Sequence, residues 1–181
     1  MSEVQRSLAA AWLLFLGRRD GLDLLDRSVA GYWRSFGVIL LVLPIDAVSL
    51  VALSRIGATE PFGQAFAQRL PVLALDWVAF PVALAAIAGP LGISHRYVTY
   101  VVARNWAAPL GWTLLTVPLV LQGAGFLGET AATLAAVVAL GVVVRYHYVI
   151  VRLALGVDVA IAGALVVADV LLSLLLLAAF G

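Results

Sequence analysis

From residue 36 onward the chain alternates long apolar runs with short polar breaks. The runs 36–56, 71–93, 106–125, 130–151 and 158–180 are each close to the roughly 20 residues that cross a bilayer as a helix. Ahead of them, Leu22, Leu25, Val29, Tyr32 or Trp33, and Phe36 recur at helical spacing, with Asp23, Asp26, Arg27 and Arg34 on the other face. The apolar run from Leu8 to Leu16 is too short to cross. It is followed by Gly17-Arg18-Arg19-Asp20-Gly21 and not by a small-residue cleavage site, so it does not read as a secretory signal. Residues 1–35 therefore predict two short amphipathic helices, either lying at the cytoplasmic membrane interface or packed on the spans with their charges solvated. The longest break, 57–70, leaves room for one small helix starting near Pro61. The expected fold class is an all-α integral membrane protein, a five-span bundle preceded by two interfacial helices.

Composition sharpens this. Of 181 residues, 64% are hydrophobic and 12% charged, and the mean hydropathy is +1.10. Soluble domains carry about 25% charged residues, so a soluble reading is excluded. All eleven basic residues are arginine, a bias expected of a GC-rich genome and equally of selection for bidentate phosphate contacts. Arg6, Arg18, Arg19, Arg27, Arg34, Arg96, Arg104, Arg145 and Arg152 fall on one side of the five-span model and only Arg55 and Arg69 on the other. Basic loops are retained in the cytoplasm, which predicts a cytoplasmic N-terminus, a C-terminus outside, and a bacterial inner membrane as the location. The net charge of +1 gives no reason to expect nucleic acid. With no cysteine and two histidines, no metal or cofactor is expected. Neither a Gly-x-Ser-x-Gly elbow nor a His-Glu-x-x-His pair occurs, so no catalytic residue is assigned.

Candidate chemistry lies inside the spans. Asp46, Asp76 and Asp169 are intramembrane acids, each costing roughly 2.5–3.5 kcal/mol on insertion scales unless partnered. Asp46 and Asp169 are at similar depth, and Arg145 and His147 in the fourth span are the expected partners of a shared polar centre. Such a centre serves as a relay or ion pathway, or merely ties helices together. Pro44, two residues before Asp46, is expected to kink the first span, and Pro81, Pro90, Pro109 and Pro118 to interrupt the next two.

Two further patterns concern surfaces. Gly156, Ala160, Ala164 and Ala168 form a small-residue ridge at i+4 spacing, suited to packing on the fourth span or on another protomer. The segments 96–104 and 145–152 echo one another. Arg96, Tyr100 and Arg104 share one helical face, as do Arg145, Tyr148 and Arg152. With Arg18, Arg19, Arg27 and Arg34, these stripes are candidate contacts for anionic lipid headgroups or a membrane-protein partner.

An amphipathic N-terminus followed by five closely spaced spans resembles the Yip1-like family of small polytopic membrane proteins. The stretch nearest that family's Asp-Leu-Tyr-Gly-Pro-type motif is Ser28-Val29-Ala30-Gly31-Tyr32-Trp33, which does not match it, so no residue role carries over. The resemblance implies a non-enzymatic role in membrane organisation or partner binding. The alternative expected from the residues is a small transporter or channel subunit built on the intramembrane acids and Arg145.

Overall fold

The computed structural model describes residues 2–57 and 60–180. All regular structure among them is helical. Helix α1 (Glu3–Phe15) opens with a capping box: Ser2 Oγ accepts from the Gln5 amide, and the Gln5 side chain accepts from the Ser2 amide. It stops where Gly17 takes φ 80°, a left-handed conformation that glycine adopts without steric cost. A 3-10 turn, Arg19–Leu24, folds back on α1 and buries Leu22. Gly21 is required there, since a Cβ would sit 2.7 Å from the Ala10 carbonyl oxygen. Ser28 then caps α2 (Val29–Phe36), and after a break at Gly37 and Val38 the chain continues as α3 (Ile39–Arg55), helical straight through Pro44.

The remaining helices are α4 (Phe62–Ala88), α5 (Tyr97–Gly123), α6 (Glu129–Leu155) and α7 (Val159–Phe180). Two boundaries correct the sequence reading. No separate small helix forms near Pro61, because α4 starts at Phe62 and runs unbroken through Pro71 and Pro81. Likewise α5 begins at Tyr97 and not at 106, so residues 97–104, expected outside the span, form its opening turns.

Four helices are long and apolar enough to cross a membrane: Val29–Arg55, which joins α2 and α3, then α4, α6 and α7. Their outward faces carry large apolar side chains, among them Leu134, Val138, Leu171 and Leu175, each more than half exposed. A contiguous surface of this kind belongs against lipid. Helix α5 matches α4 and α6 at 27 residues but is not one of the four. Arg104, Asn105 and Gln122 dilute its apolar run. Helices α1, α2, α3 and α6 pack on it, burying Tyr100 to Ala103 and Asn105 to Ala107, so two of its polar side chains meet protein and not lipid.

Order in space differs from order in sequence. Helix α3 packs on α5, α5 on α6, α6 on α7, α7 on α4, and α4 returns to α3, closing a five-membered ring. Gly123 lets α5 approach α3 closely, for a Cβ there would lie 3.0 Å from the Ala52 carbonyl oxygen. The small-residue ridge of α7 does not make these contacts. Ala160, Ala164 and Ala168 face outward, and the packed face is Ala162, Leu165, Val166 and Asp169. Helices α1 and α2 pack on α5, with α1 also touching α6. Tyr146 Oη donates to the Ala11 carbonyl at 2.6 Å, Arg145 to that of Phe15 at 3.3 Å, and buried Asn105 donates to Ser35 Oγ at 3.0 Å.

Candidate functional site

The three intramembrane acids all find partners, and the partners are on other helices. Asp169 on α7, buried, has Oδ1 3.2 Å from Arg104 Nη2 of α5 and Oδ2 3.8 Å from His147 Nδ1 of α6. One α-turn further along α7, Ser173 donates to Asp76 Oδ1 of α4 at 2.6 Å. Asp46 on α3, 1% exposed, has Oδ1 2.8 Å from Arg69 Nε of α4, close but too far off line for a good hydrogen bond. Both arginines also lie over aromatic rings, Arg69 over Trp112 at 5.7 Å and Arg104 over Phe80 at 5.9 Å. Such stacking favours a guanidinium away from water.

These groups stack along the ring axis because of helical spacing. Arg69 and Asp76 are seven apart on one face of α4, and Asp169 and Ser173 are four apart on one face of α7. At about 1.5 Å per residue, Arg104, His147 and Asp169 lie roughly 10–15 Å from the helix ends beside α1. Arg69 lies on the order of 10 Å from the opposite end of α4. Two half-open pockets lie among these groups. One, about 370 Å³, is lined by Leu50, Gln68, Arg69, Asp76, Trp112 and Ser173. The other, about 290 Å³, is lined by Asp76, Trp77, Arg104, His147, Asp169 and Ser173. They share Leu73, Asp76, Trp112, Ser173 and Leu177. Beside the second cavity, Trp77 Nε1 and Arg104 Nε are buried donors with no partner among the described residues. The interior can thus supply charge of both signs and donors in want of an acceptor.

Of the four residues expected to share a centre, the structure brings His147 and Asp169 together and places the other two elsewhere. Arg145 is exposed and bonded to the end of α1, and Asp46 takes Arg69 instead. Arg104 and Tyr100, expected at headgroups, lie in the bundle interior: Tyr100 is 2% exposed and faces Phe80, and Arg104 reaches Asp169. Arg96 packs against Gly156 and receives no carboxylate, Arg152 donates to the Val157 carbonyl at 3.0 Å, and Tyr148 is half-buried. In the N-terminal unit, Arg18 pairs with Asp20 at 2.5 Å, Arg27 with Asp23 at 3.6 Å, and Arg34 with both Glu3 and Asp26. The Arg18 guanidinium holds the Asp20 carboxyl below its usual range. Arg19 is exposed. Arg69 and Ser173 join the cluster without having been expected there, and Arg104 was expected at headgroups; the i+4 pair Asp169 and Ser173 and the i+7 pair Arg69 and Asp76 are the signals in the sequence. Comparison with family models, with curated proteins and with solved structures gave no match.

Proposed function

We propose that this chain is a five-span, non-enzymatic membrane protein with a cytoplasmic N-terminus, and that it works as a small transporter or channel subunit through its polar interior. In this reading α5 is the fifth span, admitted despite Arg104 and Asn105 because its neighbours satisfy them. One observation carries the proposal: Asp76, Arg104, His147 and Asp169, from four different helices, line one half-open pocket. Charges that only tie helices together pack without such space, whereas intramembrane ionisable groups beside a cavity mark ion and substrate paths.

The chain has no cysteine, so single cysteines report water access directly. Ser173→Cys and Ala108→Cys, which line the cavity, should react with a membrane-impermeant charged thiol reagent in sealed vesicles. Leu175→Cys, two-thirds exposed on the outer face of α7, should not, because lipid keeps the reagent away. If the two interior cysteines stay as inert as the lipid-facing one, the polar groups are structural and the transport reading is wrong.

A second reading follows from the N-terminal unit. Trp12 and Trp33 are 51% and 67% exposed on the docked helices α1 and α2, as interfacial aromatic anchors are. With Arg18, Arg27 and Arg34 already paired to acids, tryptophan and not arginine supports a role in membrane organisation of the kind the Yip1-like resemblance implies.

A further inference from the structure

Helices α3 and α5 leave an open furrow between them on the outside of the bundle. Two hollows, of about 490 and 350 Å³, follow one another along it and meet at Val48 and Val120. The first begins at Pro44 and Thr113, and the second ends at Arg55 and Phe62. The two backbones touch at Gly123 and Ala52, which form the floor, while Val48, Val51 and Val120 stand exposed on either side. The Thr113 hydroxyl is spent on the Pro109 carbonyl at 2.7 Å, and no acid lines either hollow, so the walls are apolar.

From Pro44 to Arg55 the helix rises on the order of 16 Å at 1.5 Å per residue. That is about the depth of one leaflet of a roughly 30 Å hydrocarbon core. Arg55 stands in the last turn of α3, just before Gly57 turns the chain at φ 68°. It is exposed, and among the described residues no acid pairs with it. The other arginine toward that end, Arg69, is turned inward onto Asp46. The furrow is thus an apolar trough one leaflet long with a single cation at its mouth, at headgroup level.

We propose that the furrow between α3 and α5 holds one acyl chain of an anionic phospholipid, with Arg55 on its phosphate. A guanidinium bonds two phosphate oxygens at once, and basic residues between membrane helices are a recurrent form of headgroup recognition. The site rests on α3 and α5 both lying in lipid and is independent of the transport reading.

The test uses the full chain in phosphatidylcholine vesicles that hold a small fraction of phosphatidylglycerol with a photoactivatable group midway along one acyl chain. After illumination, labelled peptides are mapped by mass spectrometry. Segments 44–55 and 113–121 should carry several-fold more label than the outer faces of α6 and α7. Unlabelled phosphatidylglycerol in excess should remove that difference, and glycerol phosphate should not; competition by glycerol phosphate would make the ligand a free phosphate and overturn the proposal. Arg55→Gln, at an exposed position, should lower furrow labelling to the level given by a photoactivatable phosphatidylcholine. Val48→Trp, which fills the junction of the two hollows, should lower labelling by both lipids. Even labelling of all outer faces, or labelling that Arg55→Gln leaves unchanged, sinks the site. So does a dimer formed on oxidation of Val48→Cys with the furrow unlabelled, which would seat a second copy there. No label on 113–121 from either lipid would refute the placement of α5 in lipid, and the site with it, whereas even labelling refutes the site alone.

Discussion

Asp169 is held from two sides, by Arg104 at 3.2 Å and by His147 at 3.8 Å, and it is buried. A buried ion pair contributes little net stability over a well-packed apolar pair, yet removing one member strands the other at roughly 3–5 kcal/mol. Asp169→Leu should therefore destabilise the fold by about that amount. Adding Arg104→Leu should recover much of the loss, whereas adding Arg145→Leu should recover none, since Arg145 serves the Phe15 carbonyl. Unfolding in mixed micelles, followed by helix content, measures all three. Recovery by the Arg145 change and not by the Arg104 change would contradict the pairing described above. The Asp46 and Arg69 pair should respond more weakly, because the Arg69 side chain is 38% exposed and reaches polar surroundings of its own.

At the scale of elements, the docking of α1 depends on a few polar contacts to α6. Tyr146 is fully buried and its hydroxyl donates to the Ala11 carbonyl, an acceptor inside α1. Tyr146→Phe keeps the ring packing on Phe15 but loses that bond, at about 1 kcal/mol. Hydrogen exchange should then rise across residues 3–15 while α6 itself stays protected. The apolar runs made the membrane helices legible to within a turn at residues 130–151 and 158–180. They misplaced the start of α5 by more than two turns, because Arg104 and Asn105 look like a loop in any local window. Their partners, Asp169 and Ser35, are 65 and 70 residues away, and no local pattern carries such pairings. Depth alone sets His147 level with Asp169 but does not separate it from Arg145, which is two residues away on another face of α6 and bonds to the end of α1.

For the molecule as a whole, orientation rests on arginines that flank the bundle, not on Arg69 and Arg104, which point into it. Arg6, Arg18, Arg19, Arg27, Arg34, Arg96, Arg145 and Arg152 lie toward one end and Arg55 toward the other. The bias is preserved after that subtraction. Ser94→Cys should react with an impermeant reagent only after the cytoplasmic side is opened, and Leu127→Cys should react from outside in intact cells. The reverse pattern would invert the topology.

The crossing of sequence order and ring order has a consequence for how the chain is made. Helix α4 packs on α3, made just before it, but finds its second ring neighbour only in α7, which follows α5 and α6 in synthesis. Until α7 emerges, Arg104 and His147 have no Asp169, Asp76 has no Ser173, and the ring is open along one side. The intermediate of six helices therefore lacks both the partners and the wall that α7 brings. Arrival of α7 supplies the acid, the hydroxyl and the missing wall in one step, so the polar interior is completed only when the last helix is in place.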